Sequence, residues 1–184
     1  MSFYSINGGV FENFFKRRSF LIKELEKGNL SKKQFLEHNF NLVRRASMKP
    51  FLRIDTYEMG MYNYQYYNVL AKYYKMLAKE SRDLNKPERY YREYMNKGNN
   101  YYNEKDKSTL SLLEYLDFKN MEAYYIDVNS KSLNGKLFEI VLLDHEEAIF
   151  HSKSESLLER LREQKVFKNE MKRSIIDQYI NESY

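Results

Sequence analysis

The residues best suited to chemistry lie in one short polar stretch, Asp144-His145-Glu146-Glu147. Carboxylates and an imidazole in succession are the ligand types that divalent cations use. The stretch also begins like the zinc-peptidase motif His-Glu-x-x-His, but Ile149 stands where the second histidine is needed and falls in a predicted strand. We interpret the stretch as a solvated turn, and the sequence predicts no metal site, no cofactor and no catalytic residue.

A second constellation is the pair Tyr101 and Lys105, whose spacing lets a lysine lower a tyrosine pKa in some reductases. No Gly-x-Gly-x-x-Gly loop accompanies the pair, and Gly8-Gly9 lacks the Lys-Ser/Thr ending of a phosphate-binding loop. His38 and His151 fit a helix edge and a strand end better than a ligand position. An enzyme is therefore not favoured, although a pocket of scattered polar residues would leave no motif.

Positive charge is concentrated in the first 53 residues, which carry 11 Lys and Arg against 4 Asp and Glu, whereas the whole chain has a net charge of +5. Such asymmetry is typical either of a solvated helical face or of a surface for nucleic acid or another polyanion. The candidate polyanion-binding residues are Lys16, Arg17, Arg18, Lys32, Lys33, Arg44, Arg45, Lys49 and Arg53.

Tyrosine is the second unusual feature, with 18 residues in a chain that has no Trp. A tyrosine stripe at helical spacing usually packs in a core with its hydroxyls at the rim, but exposed tyrosines are favoured at protein interfaces and can stack on bases. Helical periodicity leaves six of them nearest the surface as candidate interface residues: Tyr57, Tyr64, Tyr67, Tyr74, Tyr91 and Tyr102.

Composition indicates a folded chain, since 42% of the 184 residues are hydrophobic and 31% are charged. The lack of Cys excludes disulfides and thiolate sites and favours a reducing cytoplasm. We see neither a signal peptide nor an apolar run long enough to cross a membrane. Abundant Lys, Asn, Ile and Tyr are typical of AT-rich bacterial genomes.

The elements that would position these residues begin with a helical hairpin over 10–46. Phe11, Phe14 and Ile22 form one apolar stripe, and Gly28 supplies a left-handed residue after the first helix. Ser31 and Gln34 predict a capping box at the start of the second helix. The stretch from Leu21 to Phe35 resembles the short bacterial hairpins called SHOCT modules, although those lie at the C-terminus; the resemblance covers under a tenth of the chain and concerns the turn.

The rest of the helical region, 1–118, is predicted to hold a long Tyr-rich helix over 55–82 and further helices over 87–117, with a break near Gly98. From 119 to 184 the period changes, and three β-rich runs at 123–128, 136–143 and 147–151 predict an antiparallel meander, followed by helices at 152–164 and 167–182.

The predicted fold is α+β and predominantly α-helical: a helical hairpin and bundle, then a three-stranded antiparallel β-meander covered by C-terminal helices, all in one compact unit. The predicted function is a non-enzymatic protein-binding or self-associating module of the bacterial cytoplasm. The alternative is a nucleic-acid-binding accessory protein that uses the basic hairpin. The expected partner is a second copy or another protein, with nucleic acid as the alternative and no membrane.

Overall fold

A computed structural model describes the backbone of residues 8–46, 48–115, 121–126, 137–142, 148–152 and 167–168, with side chains at 9, 11–46 and 48–115. The chain divides into two compact units, Met1–Ser108 and Thr109–Tyr184. Four helices follow one another in the first part of the chain: α1 (Gly8–Glu26), α2 (Lys32–Arg45), α3 (Tyr57–Asp83) and α4 (Glu88–Tyr115).

The turn between α1 and α2 forms as its sequence predicts. Gly28 adopts a φ of 75°, and its N–H donates to the Leu25 carbonyl at 3.0 Å, so the last carbonyls of α1 are satisfied. Ser31 Oγ accepts from the Gln34 N–H at 3.2 Å, and Gln34 Oε1 accepts from the Ser31 N–H at 2.9 Å. This reciprocal capping box fixes where α2 begins, and the predicted hairpin is confirmed.

The connection between α2 and α3 is fastened to α3 by side chains. The Asn63 amide makes two hydrogen bonds to the backbone of Phe51, accepting from its N–H and donating to its carbonyl, each at 2.8 Å. The Tyr62 hydroxyl donates to the Met48 carbonyl at 2.6 Å. Because these backbone groups are satisfied by α3, the connection is held in one conformation without secondary structure of its own.

The core of the helical unit is aromatic and centres on Tyr62. Phe14 packs edge-on against the Tyr62 ring at 4.9 Å between centroids, and Phe11 does so at 5.9 Å. Val43 of α2 and Val69 of α3 are buried in the same cluster. Each such side chain stabilises the fold by about 2 kcal/mol through burial alone, so these residues hold α1, α2 and α3 together.

One long helix, α4, replaces the separate helices predicted over 87–117. The break expected at Gly98 is absent: Gly98 is buried within α4, and a Cβ there would come within 3.1 Å of Lys75 Cγ. Gly98 therefore gives room to the Lys75 side chain of α3 rather than ending a helix. The sequence singled out Gly98 as a special position, but the reason for a glycine there is close packing between helices and not the end of a helix.

The predicted α+β fold, with its three-stranded meander under C-terminal helices, is corrected by the structure. Residues 8–46 and 48–115 hold four helices and no strand. Further along, the described strands belong to a four-stranded sheet of order β3-β2-β1-β4, comprising β1 (Met121–Ile126), β2 (Leu137–Leu142), β3 (Ala148–Ser152) and β4 (Phe167–Lys168).

The fourth strand explains part of the error. It pairs parallel with β1, whereas β1 with β2 and β2 with β3 are antiparallel. Phe167 fits the first position of a helical apolar stripe equally well, and a strand of two residues has no alternation by which to recognise it. Most of the two covering helices predicted at 152–164 and 167–182 lies outside the described residues.

Candidate functional site

A groove of about 570 Å³ runs between α1 and α2. We call it the α1–α2 groove; it is lined from α1 by Asn13, Phe14, Arg17, Phe20 and Leu21, from α2 by His38, Asn41, Leu42 and Arg45, by the C-cap residue Ala46, and by Tyr62 of α3. The positions recur at spacings of three and four on each helix, so one continuous face of each helix contributes. The spacing that builds the helices therefore also builds the groove.

The groove combines an apolar floor with a positive rim. Phe14 and Tyr62 are buried beneath it, and Phe20 beside them is 61% exposed, which is unusual for a large apolar side chain. Arg17, His38 and Arg45 are exposed. No Asp or Glu is among the lining residues. The arrangement can therefore bind an apolar group that carries negative charge beside it.

Arg18 follows Arg17 in the chain but points to a different surface, because consecutive helical residues are about 100° apart around the axis. Its Nη1 donates to Asn39 Oδ1 at 2.8 Å, and Asn39, only 1% exposed, in turn donates to the Phe35 carbonyl. Loss of hydration lowers the pKa of the Arg18 guanidinium to about 10, opposed by attraction to Tyr64. Arg18 is thus positioned by buried polar groups of α2.

Lys105 of α4 lies against the ring of Tyr64. Its side chain is buried, and its Nζ lies 5.9 Å from the centroid of the Tyr64 ring and 5.2 Å from that of Tyr102. The Asp106 carboxylate lies 3.3 Å from Nζ. Burial lowers the pKa of Lys105, while Asp106 acts in the opposite direction. The ring faces and the Asp106 carboxylate offset part of the cost of burying the ammonium.

Lys72 lies on α3 at i, i+4 and i+8 with Tyr64 and Asn68, and therefore on the face that Arg18 and Lys105 approach. Its pKa is lowered to about 8, first by lost hydration and then by repulsion from three cations: Arg18, Lys105 and Lys32. The residue as a whole is nevertheless exposed. We give the repulsion more weight, because an exposed ammonium keeps much of its water. We call Arg18, Lys32, Lys72 and Lys105 the four-cation cluster.

The nine predicted polyanion-binding residues do not form one surface. Arg17 and Arg45 line the groove, whereas Arg18 and Lys32 belong to the four-cation cluster. Three others have a carboxylate within salt-bridge distance: Lys16 with Glu12, Lys33 with Glu80, and Arg53 with Asp55. Arg44 and Lys49 are exposed. A continuous track of cations is therefore not what these helices present.

The six predicted interface tyrosines are largely used for packing within the chain. Tyr64 is only 4% exposed, and the other five are partly buried. The Tyr74 ring stacks on Tyr101 with centroids 5.6 Å apart, and the Arg82 guanidinium lies 3.6 Å from the centroid of the Tyr91 ring. Their role in binding a partner stays a prediction.

Lys72 is the functional candidate that sequence reasoning missed, and Lys105 was noticed for a different reason. Tyr101 stacks on other tyrosines, while the Lys105 ammonium lies against Tyr64 and Tyr102. The one available signal was the spacing of Tyr64, Asn68 and Lys72, which places a lysine on the same side of a tyrosine-rich helix as Tyr64.

Two further predictions concern absences. In the described part of the chain, no group of three or more His, Asp or Glu is close enough to hold a metal ion. The stretch from Asp144 to Glu147 lies outside the described residues. No helix among those described is both long and apolar enough to span a membrane.

Comparison with known proteins places the chain in a family but assigns it no activity. No curated protein and no solved structure matches it. The family model that does match covers residues 4–184, nearly the whole sequence. The chain therefore belongs to DUF6648, a family of unknown function.

Proposed function

We propose that this protein is a protein-binding module whose α1–α2 groove takes an acidic, amphipathic segment of another protein. The observation that carries the proposal is the pairing of an apolar floor with a rim of exposed Arg17, Arg45 and His38. Apolar side chains of the partner would pack on Phe14 and Phe20, and its carboxylates would pair with the arginines, whose planar fork suits a carboxylate.

The dimensions of the groove suit a short helical segment. Its α2 wall is a helix of 14 residues, which corresponds to a length of about 20 Å. An amphipathic partner helix of about four turns would match this wall with anchors at spacings of three and four.

A partner protein is favoured over nucleic acid by the character of the groove. A single-stranded nucleic acid needs a continuous positive track with aromatic rings facing the solvent. Two of the nine predicted polyanion-binding cations line the groove, two belong to the four-cation cluster, and three lie beside carboxylates. A second copy of the chain is also less favoured, because two grooves facing each other would bring like charges together.

The proposal is tested by fluorescence anisotropy with a labelled synthetic 16-residue helix that has Leu at spacings of three and four and Glu at the positions flanking that stripe. The matched probes replace every Glu by Lys, or every Leu by Ser. We expect the first peptide to bind and both matched peptides to bind at least about 10-fold more weakly, since charge and apolar contact both contribute.

Variants of the protein separate the groove from net charge. Arg17→Glu with Arg45→Glu should weaken binding at least about 10-fold. Arg44→Glu with Lys49→Glu makes the same change in net charge on exposed residues outside the groove lining, and it should weaken binding no more than about 2-fold at physiological salt. Equal losses in the two double variants, or tighter binding of a single-stranded oligonucleotide than of the peptide, would overturn the proposal.

A further inference from the structure

A depression of about 410 Å³ lies on a different flank of α1 from the α1–α2 groove. All of its lining residues belong to α1, at positions that recur at spacings of three and four: Glu12, Phe15, Lys16, Ser19, Phe20 and Lys23. Such spacing places them in one stripe of about three turns along the helix. We call this stripe the α1 outer depression.

The α1 outer depression and the α1–α2 groove meet at Phe20, which lines both of them and is 61% exposed. Phe20 follows the buried Phe11 by nine positions, and at about 100° per residue this puts it on the side of α1 opposite the core. The rings of Phe14 and Phe15, one from each flank, lie 5.3 Å apart between centroids. The helix is therefore a ridge that has Phe20 at its crest and an apolar depression on each flank.

Both flanks carry positive charge, but to different degrees. In the outer depression Lys16 and Lys23 are exposed, and Glu12 forms an ion pair with Lys16. Lys23 is therefore the cation of this flank that is left for a ligand. The groove has Arg17 and Arg45 and no Asp or Glu among its lining residues. A ligand that covers both flanks should be acidic, and more acidic on the side of the groove.

We propose that the partner is an acidic pair of antiparallel helices that straddles α1, with one helix in the α1–α2 groove and the other in the outer depression. This inference rests on the function proposed for the groove and adds the class of partner. Two helices that pack about 8–10 Å apart leave a seam along their length, into which side chains of a third helix can insert. Phe20 is the side chain that enters this seam.

The charges assign the two helices of the partner different sequences. The groove helix presents carboxylates to both Arg17 and Arg45, whereas the outer helix needs one carboxylate, against Lys23. Apolar residues of the outer helix pack on Phe15 and on the near side of Phe20. A single helix in the groove would leave the other side of Phe20 in water, so the second helix adds apolar burial as well as charge pairing.

The inference is tested by fluorescence anisotropy with a labelled peptide hairpin that joins two copies of the 16-residue Leu and Glu helix through a short Gly-rich turn. The control hairpin has Ser in place of every Leu of its second helix and keeps every Glu. We expect the first hairpin to bind about 10-fold or more tightly than either the control hairpin or the single helix, because the second contact is intramolecular once the first has formed.

A variant of the protein separates the two flanks. Ser19→Glu adds a carboxylate to the outer depression, which should weaken binding of the hairpin about 5-fold or more and of the single helix less than about 2-fold. The new Glu lies four residues before Lys23, an arrangement that favours the helix, and far-ultraviolet circular dichroism checks the fold. Asn96→Glu makes the same charge change at an exposed position of α4 and should weaken either peptide less than about 2-fold at physiological salt.

The outcomes distinguish this inference from the function proposed for the groove. If the single helix binds but the hairpin binds no more tightly than its control, or if Ser19→Glu and Asn96→Glu weaken the hairpin equally, the straddling partner is wrong and the groove proposal stands. If none of the peptides binds, both are overturned. Tighter binding to vesicles of anionic phospholipid than to the hairpin would also overturn the inference, because the ridge would then contact a bilayer.

Discussion

Arg17 and Arg18 are neighbours in the chain, yet they belong to two surfaces that treat positive charge differently. In the α1–α2 groove the cations are exposed and stand around an apolar floor. In the four-cation cluster Arg18 is held by Asn39 and Lys105 lies against Tyr64 and Tyr102, while Lys32 and Lys72 are exposed. Counting positive charges along the hairpin does not distinguish these two situations.

The difference lies in hydration. A solvated arginine changes the free energy of unfolding little. It attracts an oppositely charged group over a distance that is set by the salt concentration. The pKa of a cation is lowered when the cation loses hydration and lies near other cations. Such a cation interacts over a short range. Charge in the groove therefore acts over a longer range than charge in the cluster.

The largest expected effect that separates the two surfaces is chemical reactivity at Lys72. Lost hydration and repulsion from neighbouring cations lower the pKa of Lys72, so more of its ammonium is deprotonated at pH 8 than in an ordinary lysine. Acetylation by a limiting amount of acetic anhydride at pH 8 should therefore modify Lys72 about 10-fold or more faster than Lys79. Peptide mass mapping measures both sites in one sample, and equal rates would contradict the crowding.

A smaller effect is expected when the support of Arg18 is removed. Asn39→Ala deletes the acceptor for Arg18 and the side-chain donor to the Phe35 carbonyl, which keeps only its backbone donor within α2. The free energy of unfolding should fall by about 2 kcal/mol, because a buried polar network loses its centre. Urea denaturation measures this, with Asn41→Ala at an exposed groove position as the control. If Asn39→Ala lowers the free energy of unfolding no more than Asn41→Ala does, Asn39 does not position Arg18.

Repulsion among the cations should appear as a gain in the free energy of unfolding when Lys72 is replaced by an uncharged residue. Lys72→Met is expected to raise the free energy of unfolding by about 1 kcal/mol at pH 7, a value reduced from the full pKa shift because solvent screens an exposed charge. The control is Lys79→Met. A loss of stability in Lys72→Met would contradict the repulsion among the cations.

The sign of the pH dependence follows from the two pKa values. The unfolded chain keeps this proton up to the ordinary value of 10.5, whereas the folded chain releases it near 8. Between those values the unfolded state binds more protons, so wild-type stability from this group rises with pH. The advantage of Lys72→Met is therefore full below pH 8 and should disappear towards 10.5, which denaturation at pH 7, 8, 9 and 10 would measure.

The smallest effect is expected at Arg17, the neighbour of Arg18. Arg17→Gln removes an exposed charge from the groove rim and should change the free energy of unfolding by less than about 0.5 kcal/mol. Thermal and urea denaturation at physiological salt provide the measurement. A change as large as that from Asn39→Ala would mean that the rim, like the cluster, is part of the folded framework.

Local chemistry made the α1–α2 hairpin predictable. Gly28 and the Ser31–Gln34 box act within a few residues, and their hydrogen bonds are the ones that the sequence implies. The predictions made from Gly98 and Phe167 were wrong because they depend on contacts with distant residues. The role of Gly98 depends on Lys75 of another helix, and Phe167 pairs with Ala123, far away in the chain.

The candidate sites divide in the same way. Arg17 and Arg45 are found by charge, and helical geometry places Arg17 and Arg18 about 100° apart. The convergence of Lys72 and Lys105 depends on how α3 and α4 pack, and no spacing within either helix encodes it. The tyrosines illustrate the limit most clearly, since periodicity placed Tyr64 near the surface although packing buries it.

The two hydrogen bonds between the Asn63 side chain and the Phe51 backbone limit how sequences of this family can diverge in length. A connection between helices normally accepts insertions and deletions during evolution. Here the backbone is attached to α3 at Met48 and again at Phe51, so a change in length between them would move one attachment out of register. Relatives should therefore vary in the composition of this connection while keeping its length, and a relative with an insertion there should also have lost the asparagine.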